Sequence, residues 1–489
     1  MSTPSKSDSK SDNAAFSVEE RGIDLVPAEA RQGKPIDMLW MWLGANMSVF
    51  YIVVGALVVY TGLSFAQAII AIVLGNVAWV VLGFDSVQGP STGTATYAVS
   101  RAAYGPKGGQ GLSVLNWLTN VGFEASGLSV AVLAALALLK NAGVGSSSGL
   151  KIGLVLTGLV LMVIIPLYGH ATILLVQRWV AYIAIPLLSI MGIMILTKVN
   201  LGSSKAGGWA AMSVAIALVM ANGGLSANCG SDYSRYLPED SSKTAVFWYS
   251  TLGGMLPSLL LSCLGAALAS VIASGSDPIA GIPKALPSFV FVPYLLYVII
   301  STLTGASWNL YSSGLSVQAA GVYLKRWHCV LLDAVICAVL GMIVVFSSSF
   351  NAYYSDFLSL LIVWLAPWGA IYVVDWLLRR GKYDATSLLA GREGIYWRRN
   401  GWHVPALYAQ GLGMLATTLW INSPAFVGPL SSRFNHSDLS AFMGIATASL
   451  VYWLLARKSV PQEKPVEVPP VPVATAPALV LPTRELVDG

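Results

Sequence analysis

The sequence predicts an all-α integral membrane protein with about 12 transmembrane helices. Hydrophobic residues make up 55% of the 489 residues, and charged residues make up only 10%. A soluble domain keeps roughly a quarter of its residues charged, so this composition indicates an exterior that faces lipid. The apolar residues also fall in continuous blocks of roughly 18–25, the length of helix that crosses a hydrocarbon core of about 30 Å. The blocks do not alternate with period two, which favours helices over a β-barrel.

Twelve apolar blocks define the predicted spans. The clearest blocks are 38–60, 65–84, 152–168, 210–224, 330–346 and 358–378. Weaker blocks lie near 112–139, 171–197, 244–273, 289–320, 403–421 and 439–455. We therefore expect a transmembrane domain over 35–457, between a cytoplasmic N-terminal segment (1–34) and a disordered, Pro-rich cytoplasmic tail (458–489). The Ser-rich residues 1–20 have no apolar core, so no cleavable signal peptide is expected.

The distribution of Lys and Arg predicts the orientation. With a cytoplasmic N-terminus, 22 of the 28 Lys and Arg residues fall on the cytoplasmic side. The six on the outside are Lys140, Lys151, Lys198, Lys205, Lys284 and Arg433. This positive-inside bias predicts a multi-pass protein of the cell membrane with both termini in the cytoplasm. The net charge of +5 then reflects topology and requires no nucleic-acid polymer as a partner.

Several functional classes lack their sequence signatures. There is no GxxxxGK[ST] loop and no HExxH motif, and the four cysteines form no CxxC pair. We expect no catalytic residues, no metal site and no cofactor, and no obligatory protein partner is evident beside membrane lipid and a small-molecule substrate. Transport energy would then come from an ion gradient or from the gradient of the substrate itself.

Two spans carry breaks that predict a binding site. Gly44, Asn46 and Ser48 interrupt the first span, and a run of Asn and Gly over 222–231 interrupts the sixth. Broken helix in lipid survives where it lines a cavity, and such breaks at matching places in two halves indicate a transporter's midplane site. The spacing suits two inverted five-helix repeats, about 35–200 and 207–380, followed by two extra helices at about 402–457. The alternative to a binding site is that these small residues only allow close packing between helices.

The third span contains an unexpected carboxylate. Glu124 lies in a segment otherwise free of charge, beside Phe123. A charge at mid-membrane costs at least about 2.5 kcal/mol, so such an acid is a functional candidate. Two roles are open: Glu124 accepts hydrogen bonds from a heterocycle, or it carries a coupling proton. A protonated Glu124 bonded to neighbouring backbone is the structural alternative.

The eighth span presents a stripe of hydroxyl groups. Ser301, Thr304 and Ser307 recur every three residues, with Asn309 close by. They share one face of the helix. Such a face suits Na⁺ coordination by hydroxyls and unwound carbonyls, whereas hydroxyls bonded back to the preceding turn are the alternative.

These residues carry a resemblance. The segments GANMSVFYIVVGAL, FDSVQGPSTGTATYAVSRAAYGPKGG, VGFEASGL, SDYSRYLP, NLYSSGLSVQ and APWGAIYVVDWLLRRGKYD resemble the nucleobase:cation symporter-1 family, and within it the purine–cytosine permease branch. The similarity runs from about Arg21 to Arg457. It implies a LeuT-type 5+5 inverted-repeat fold with two C-terminal helices, alternating access, and cation-coupled uptake of nucleobases or related heterocycles.

The resemblance also implies a set of site residues. The family's pocket positions correspond to Ser48, Phe123, Gly127, Gly223 and Asn309, and Gly127 and Gly223 lack the side chains that relatives often place there. We therefore expect a roomier pocket, with Glu124, Asn222 or Asn228 supplying polarity.

The family's cation site implies a further set of residues. It maps to Thr304 and Gly305, with carbonyls near Gly44, Met47 and Ser301. Because Gly305 supplies no hydroxyl, we expect H⁺ rather than Na⁺ as the coupling ion.

The functional prediction is a secondary active importer of a purine or cytosine. Asp232 and Arg235, in the segment after the sixth span, are predicted to form a gating ion pair. The alternatives are Na⁺ coupling, or another planar heterocycle such as allantoin, a hydantoin or a vitamin precursor. A channel would need a continuous polar pore, and the sequence offers no repeated ring of charges.

Overall fold

The computed structural model describes residues 21–199, 206–271, 287–322, 324, 326–347 and 350–463. The Ser-rich residues 1–20 and most of the predicted tail, 464–489, lie outside the described residues. Within the described part the fold is helical, with no β-strand beyond one isolated antiparallel bridge between Asn422 and Val427.

Helices occur at all twelve predicted positions, which we call spans 1–12. Eight described helices are long and apolar enough to cross a membrane, and the bent pair that forms span 1 makes a ninth. The three remaining predicted spans, which are spans 6, 11 and 12, are shorter helices. In chain order the spans are Pro35–Asn46 with Val49–Tyr60, Phe65–Thr92, Pro106–Asn141, Ser148–Tyr168, His170–Leu196, Trp209–Asn222 with Gly230–Ser234, Lys243–Ala269, Ser288–Ala319, Arg326–Phe346, Phe350–Arg379, Val404–Trp420 and Ser440–Ala456.

Local signals explain where several helices begin. Ser64 accepts a hydrogen bond from the Gln67 N–H, and the Gln67 side chain accepts one from the Ser64 N–H. Ser147 and Ser242 cap the starts of spans 4 and 7 in the same way with their hydroxyls. Each cap satisfies a backbone donor that has no partner inside the helix.

Eight of the spans pack in two groups, spans 1, 2, 6 and 7 and spans 3, 4, 8 and 9. Span 7 packs along both halves of span 1, and the short second half of span 6 packs on span 2. Span 8 packs along span 3, and span 9 packs on spans 3 and 4. Two glycines bring spans 1 and 7 together: a Cβ on Gly55 would lie 1.9 Å from the Ser262 carbonyl oxygen, and one on Gly265 would lie 2.0 Å from that of Ile52.

Residues 21–34 cover the second half of span 6. The Gln32 N–H donates to the Tyr236 carbonyl at 2.7 Å, and the Arg31 guanidinium donates to the Pro90 carbonyl at 2.7 Å. Arg235 in turn donates to the Gly22 carbonyl. The described part of the predicted N-terminal segment therefore packs against the helices.

The C-terminal segment also packs beyond the predicted bound at Arg457. Glu463 forms ion pairs with Arg379, at 2.8 Å, and with Arg398, at 2.5 Å. Arg379 and Arg398 both donate to the Ala102 carbonyl between spans 2 and 3. The start of the predicted tail, 458–463, is thus held in place because its acid neutralises two largely buried arginines.

Candidate functional site

A cavity lies between spans 1, 2, 3, 6, 8 and 10, where spans 1 and 6 are broken. It lies against the middle of span 8 and the start of span 10. Its lining residues are Ala45, Asn46, Ser48, Phe50, Tyr51, Trp79, Phe123, Gly127, Asn222, Gly223, Ser226, Ala227, Ser301, Thr302, Gly305, Ala306, Trp308, Asn309 and Tyr354. The structure thus brings seven of the predicted site residues together: Ser48, Phe123, Gly127, Asn222, Gly223, Ser301 and Asn309.

The break in span 1 bends the helix by 62°. The first half ends at Asn46, whose side-chain amide donates to the Trp42 carbonyl and accepts from the Tyr51 hydroxyl. Ser48 is extended and its hydroxyl accepts a long hydrogen bond, 3.4 Å, from the Phe50 N–H. The polar residues at this break therefore satisfy the helix ends.

The break in span 6 depends on a close approach to span 2. A Cβ on Gly224 would lie 2.1 Å from the Ala78 carbonyl carbon and 2.2 Å from the Trp79 nitrogen. Only glycine lets the two backbones meet at this distance. Beyond the break, the Asn228 amide donates to the Tyr97 hydroxyl and to Asn116, both at 2.7 Å, and Asn228 does not line the cavity.

Aromatic side chains surround the cavity. Phe123 lines it and meets Phe357 edge-on, with ring centroids 5.0 Å apart. Trp79, Trp308 and Tyr354 add further aromatic surface. Such surfaces suit a planar ring. Sequence reasoning missed Trp79 and Tyr354 as site residues, because an aromatic residue inside an apolar span carries no distinguishing signal.

Two amide groups leave unpaired polar atoms at the cavity. The Tyr354 hydroxyl donates to Oδ1 of Asn222 at 2.5 Å, while Nδ2 of Asn222 is buried without a partner. Oδ1 of Asn309 is likewise buried without a partner. An unpaired buried donor or acceptor costs about 1–3 kcal/mol, so these atoms are suited to pairing with a bound molecule. Together they offer one donor and one acceptor.

Glu124 is predicted to contact the substrate or to carry a proton, and it does not line the cavity. It is fully buried, and its Oε2 lies 3.8 Å from Sγ of Cys337 in span 9. Its Oε1 is buried without a hydrogen-bond partner. Successive helical residues are rotated by about 100°, so Phe123 and Gly127 share the cavity face whereas Glu124 points toward span 9.

The predicted cation ligands have other partners. The Met47 carbonyl accepts from the Tyr297 hydroxyl at 2.5 Å, and the Thr304 hydroxyl donates to the Ile300 carbonyl at 2.7 Å. Gly44 packs directly on span 5, since a Cβ there would lie 2.0 Å from the Gln177 carbonyl oxygen. Gly44, Met47 and Thr304 do not line the cavity.

The second half of span 6 is held by a buried carboxylate that sequence reasoning missed. Asp85 of span 2 accepts hydrogen bonds from the Gly230 N–H at 2.5 Å, and from the hydroxyls of Ser231, Thr96 and Tyr372 at 3.0 Å. The signal was available, since Asp85 is an intramembrane acid like Glu124.

Asp232 and Arg235 also lie in this segment. The Asp232 carboxylate accepts from the Thr96 N–H at 2.9 Å, whereas the Arg235 guanidinium donates to the Tyr311 hydroxyl at 2.9 Å and to the Gly22 carbonyl. Both side chains are buried. The described hydrogen bonds thus join the two predicted gating residues to different neighbours: Asp232 to the loop after span 2, and Arg235 to span 8 and the N-terminal segment.

Comparison with known proteins gives consistent matches over most of the chain. A family model described as a permease for cytosine/purines, uracil, thiamine and allantoin matches residues 25–444. The chain is 27% identical over 462 residues to the putative purine-cytosine permease YxlA of Bacillus subtilis (strain 168), covering 90% of this chain and 96% of that protein. It is 24% identical over 483 residues to the purine-cytosine permease FCY2 of Saccharomyces cerevisiae, covering 90% of this chain and 86% of that protein.

Solved structures match the fold. Mhp1, a nucleobase-cation-symport-1 family transporter in a closed conformation with bromovinylhydantoin bound, superposes with a TM-score of 0.70 at 18% identity, covering 92% of this chain and 95% of Mhp1. The inward-facing conformation of Mhp1 gives a TM-score of 0.68 at 17% identity, covering 90% of this chain and 96% of Mhp1. At these identities the likeness concerns the fold, and it agrees with the predicted LeuT-type arrangement.

Proposed function

The chain belongs to the family of permeases for cytosine, purines, uracil, thiamine and allantoin, and from this premise we propose that it imports a purine or cytosine across the cell membrane by H⁺ symport. It is a multi-pass transporter and not an enzyme. The observation that carries the choice of cargo is the cavity at the two helix breaks, with its aromatic surface and two unpaired amide atoms. Both termini are cytoplasmic in this proposal, as the positive-inside bias predicts.

The base binds through its ring faces and one polar edge. Phe123, Trp79 and Trp308 offer aromatic surface to the ring. Nδ2 of Asn222 donates to a ring nitrogen or carbonyl oxygen, and Oδ1 of Asn309 accepts from a ring N–H or an exocyclic amino group. Cytosine and hypoxanthine each carry an acceptor beside a donor on one edge, so they match this pair of amide atoms.

Glu124 is the proposed proton carrier. It is buried on the span that also carries Phe123, one of its oxygens has no hydrogen-bond partner, and no described cation lies within salt-bridge distance of it. A carboxyl in such surroundings is far cheaper to hold neutral than charged, so loading it with a proton favours its burial. The proton moves with the substrate during alternating access.

Asp232 and Arg235 act in gating on the cytoplasmic side. Arg235 links the second half of span 6 to span 8, through Tyr311, and to residue 22 of the N-terminal segment. An inward opening that separates span 6 from span 8 has to break the Arg235–Tyr311 hydrogen bond. Gating is therefore proposed to depend on Arg235 and its hydrogen bonds to Tyr311 and to the carbonyl of residue 22.

Uptake into proteoliposomes tests the function. Radiolabelled cytosine and hypoxanthine are offered with an inwardly directed pH gradient, and again after the gradient is collapsed with a protonophore. We expect saturable uptake that the protonophore abolishes. Absence of gradient-stimulated uptake of every base offered would contradict the proposal, and empty liposomes provide the background.

Another planar heterocycle is the second candidate. Gly127 carries no side chain into the cavity, and a Cβ there would meet only ordinary contacts, at 3.4 Å or more, whereas a Cβ on Gly223 would lie 3.0 Å from Nε1 of Trp79. This space suits a substituted ring such as a hydantoin, allantoin or a vitamin precursor. A thermal-shift panel on purified protein separates the two candidates, because a specific ligand raises the unfolding temperature.

A further inference from the structure

The family resemblance expects a sodium ion between spans 1 and 8, and span 5 packs against span 1 at this place. At this level the backbones of spans 1 and 5 are in contact, because Gly44 has no side chain and Gln177 takes the adjacent space. An ion bound here would need several oxygen atoms from spans 1 and 8 to point at one place. Whether the ion binds depends on whether these oxygen atoms already accept hydrogen bonds from the protein.

Gln177 of span 5 reaches across to span 8. Its side chain is 1% exposed, and its Nε2 donates a hydrogen bond to the Thr304 carbonyl at 3.0 Å. Oε1 of the same amide is buried without a partner. The amide therefore places the positive end of an N–H dipole on a span 8 carbonyl beside the expected site.

Tyr297 likewise donates a hydrogen bond to a backbone carbonyl, in span 1. Its hydroxyl donates to the Met47 carbonyl at 2.5 Å, directly at the helix break. Met47 is the C-cap residue directly after the first half of span 1, and its carbonyl is one of the expected ion ligands. A carbonyl that already accepts from a buried hydroxyl needs no cation to satisfy it.

One of the two expected hydroxyl ligands is missing. Gly305 has no side chain, and a Cβ built on it meets nothing within 4 Å. The other hydroxyl, that of Thr304, donates its hydrogen to the Ile300 carbonyl and keeps its oxygen lone pairs. With one hydroxyl absent and the Met47 carbonyl already hydrogen-bonded, the residues present do not complete a Na⁺ site.

We infer that Gln177 and Tyr297 replace the coupling sodium ion: their N–H and O–H groups hold the carbonyls of Thr304 and Met47, so no Na⁺ binds between spans 1 and 8. This inference rests on the proposed symport function and deepens it, because it removes Na⁺ as the coupling ion. It also gives Gln177 and Tyr297 a role as positioning residues. They tie spans 5 and 8 to the break in span 1 without an ion.

Direct sodium binding tests the inference independently of transport. Purified wild-type protein is mixed with ²²Na⁺ in choline buffer, and bound ion is measured by scintillation proximity with unlabelled Na⁺ as competitor. We expect no competable binding. Saturable ²²Na⁺ binding would overturn the inference, and it is measured whether or not a nucleobase is transported.

A second experiment asks whether the two donors exclude the ion. The triple variant Gln177→Ala, Tyr297→Phe and Gly305→Ser removes both donors and adds a hydroxyl where the built Cβ has open space. We expect this variant to gain competable ²²Na⁺ binding and a Na⁺-dependent rise in unfolding temperature, while Gly305→Ser alone gains neither. A folded triple variant that is as insensitive to Na⁺ as the wild type would overturn the role of the donors. If the triple variant does not fold, Tyr297→Phe with Gly305→Ser takes its place, with the same two outcomes.

Uptake separates this inference from the proposed function. Nucleobase uptake at fixed pH is compared in NaCl and in choline chloride, and we expect equal rates within about twofold. Uptake that requires Na⁺ would support the proposed transport of a nucleobase but overturn the inference about sodium. A lack of uptake in both salts would contradict the proposed function and leave the ²²Na⁺ result standing.

Discussion

The hydroxyl of Tyr354 donates a hydrogen bond to Oδ1 of Asn222, and this bond joins span 10 to the break in span 6 at the cavity. Because the carbonyl oxygen of the Asn222 amide is engaged, its Nδ2 is the group left for a ligand. The contact thus fixes which end of the amide a substrate meets. We therefore expect the position of span 10 to depend on whether the site is occupied.

Removing this hydroxyl tests its role in binding. Tyr354→Phe frees the Asn222 amide to turn, at a loss of about 1 kcal/mol, so we expect KM for the transported base to rise roughly fivefold. Asn222→Ala removes the donor itself and is expected to raise KM by at least about tenfold. Tyr353→Phe, at the neighbouring position, is the matched control and should leave KM within twofold. Radiolabelled uptake at several substrate concentrations gives these values, and an unchanged KM in Asn222→Ala would remove Asn222 from the site.

Glu124→Gln tests the proton-carrier role. The amide keeps the shape of the side chain but takes up no proton, so we expect stimulation by a pH gradient to disappear. Exchange of labelled for unlabelled substrate at equal pH on both sides needs no net proton movement and should persist. Cys337→Ala, which changes the neighbour of Glu124, is the control and should retain stimulation. Full pH-driven accumulation in Glu124→Gln would exclude this residue as the carrier.

Gly224→Ala tests the approach of spans 2 and 6. The added Cβ would lie within 2.3 Å of three backbone atoms of Ala78 and Trp79, which cannot move aside as a flexible side chain can. Overpacking costs about 1–3 kcal/mol or more, so we expect a clear fall in unfolding temperature and loss of transport. Gly153→Ala, where nothing lies within 4 Å of the new Cβ, should be neutral or slightly stabilising. Thermal unfolding followed by size-exclusion chromatography compares the two.

Asp85→Asn tests the carboxylate that holds the second half of span 6. The amide keeps one oxygen acceptor but replaces the other with an NH₂ group, which then faces either the Gly230 N–H or the Tyr372 hydroxyl, because these donors bond to different oxygens. Hydrogen bonds to charged groups contribute about 1.5–3 kcal/mol each, so we expect severe loss of transport. Tyr372→Phe removes a single contact and should cost less. Equal transport by Asp85→Asn and wild type at matched expression would show that the carboxylate is dispensable.

Glu463→Gln tests the anchoring of the C-terminal segment. Arg379 has 4% of its side chain exposed, so loss of a charged partner leaves a buried cation less compensated. Breaking a buried pair costs about 3–5 kcal/mol, although Asp375 still contacts Arg379 at 2.7 Å and reduces this figure. We expect a lower unfolding temperature and unchanged KM. Glu393→Gln, which changes an exposed acid between spans 10 and 11, should leave the unfolding temperature unchanged.

The fold and the site differ in how far the sequence predicts them. The spans are predictable because lipid demands long apolar helices, and the breaks are predictable because Gly224 and Asn222 stand where helix would otherwise continue. The helix that the Glu124 side chain faces is not predictable from sequence. Each residue turns the helix by about 100°, and the sequence does not say which helices lie on each side of span 3. Trp79 and Tyr354 resemble core residues until the tertiary structure brings them to the cavity.

Met47 and Gln177 show the same limit for the cation site. A motif can indicate which carbonyls are near an ion, but the protein donors that already occupy them come from spans distant in sequence. Asp85 is different, since the rule applied to Glu124 identifies it directly. The backbone and hydroxyl groups that satisfy it become known only from the structure.

The paired glycines of spans 1 and 7 have a mechanical consequence. Gly55 and Gly265 each lie against a carbonyl of the other helix, so we expect the second half of span 1 and span 7 to move together. Span 7 also packs on the first half of span 1, beyond the 62° bend at Met47 and Ser48. A change in that bend is therefore expected to displace span 7 as well. A crosslink that immobilises span 7 should stall transport as effectively as one placed on span 1.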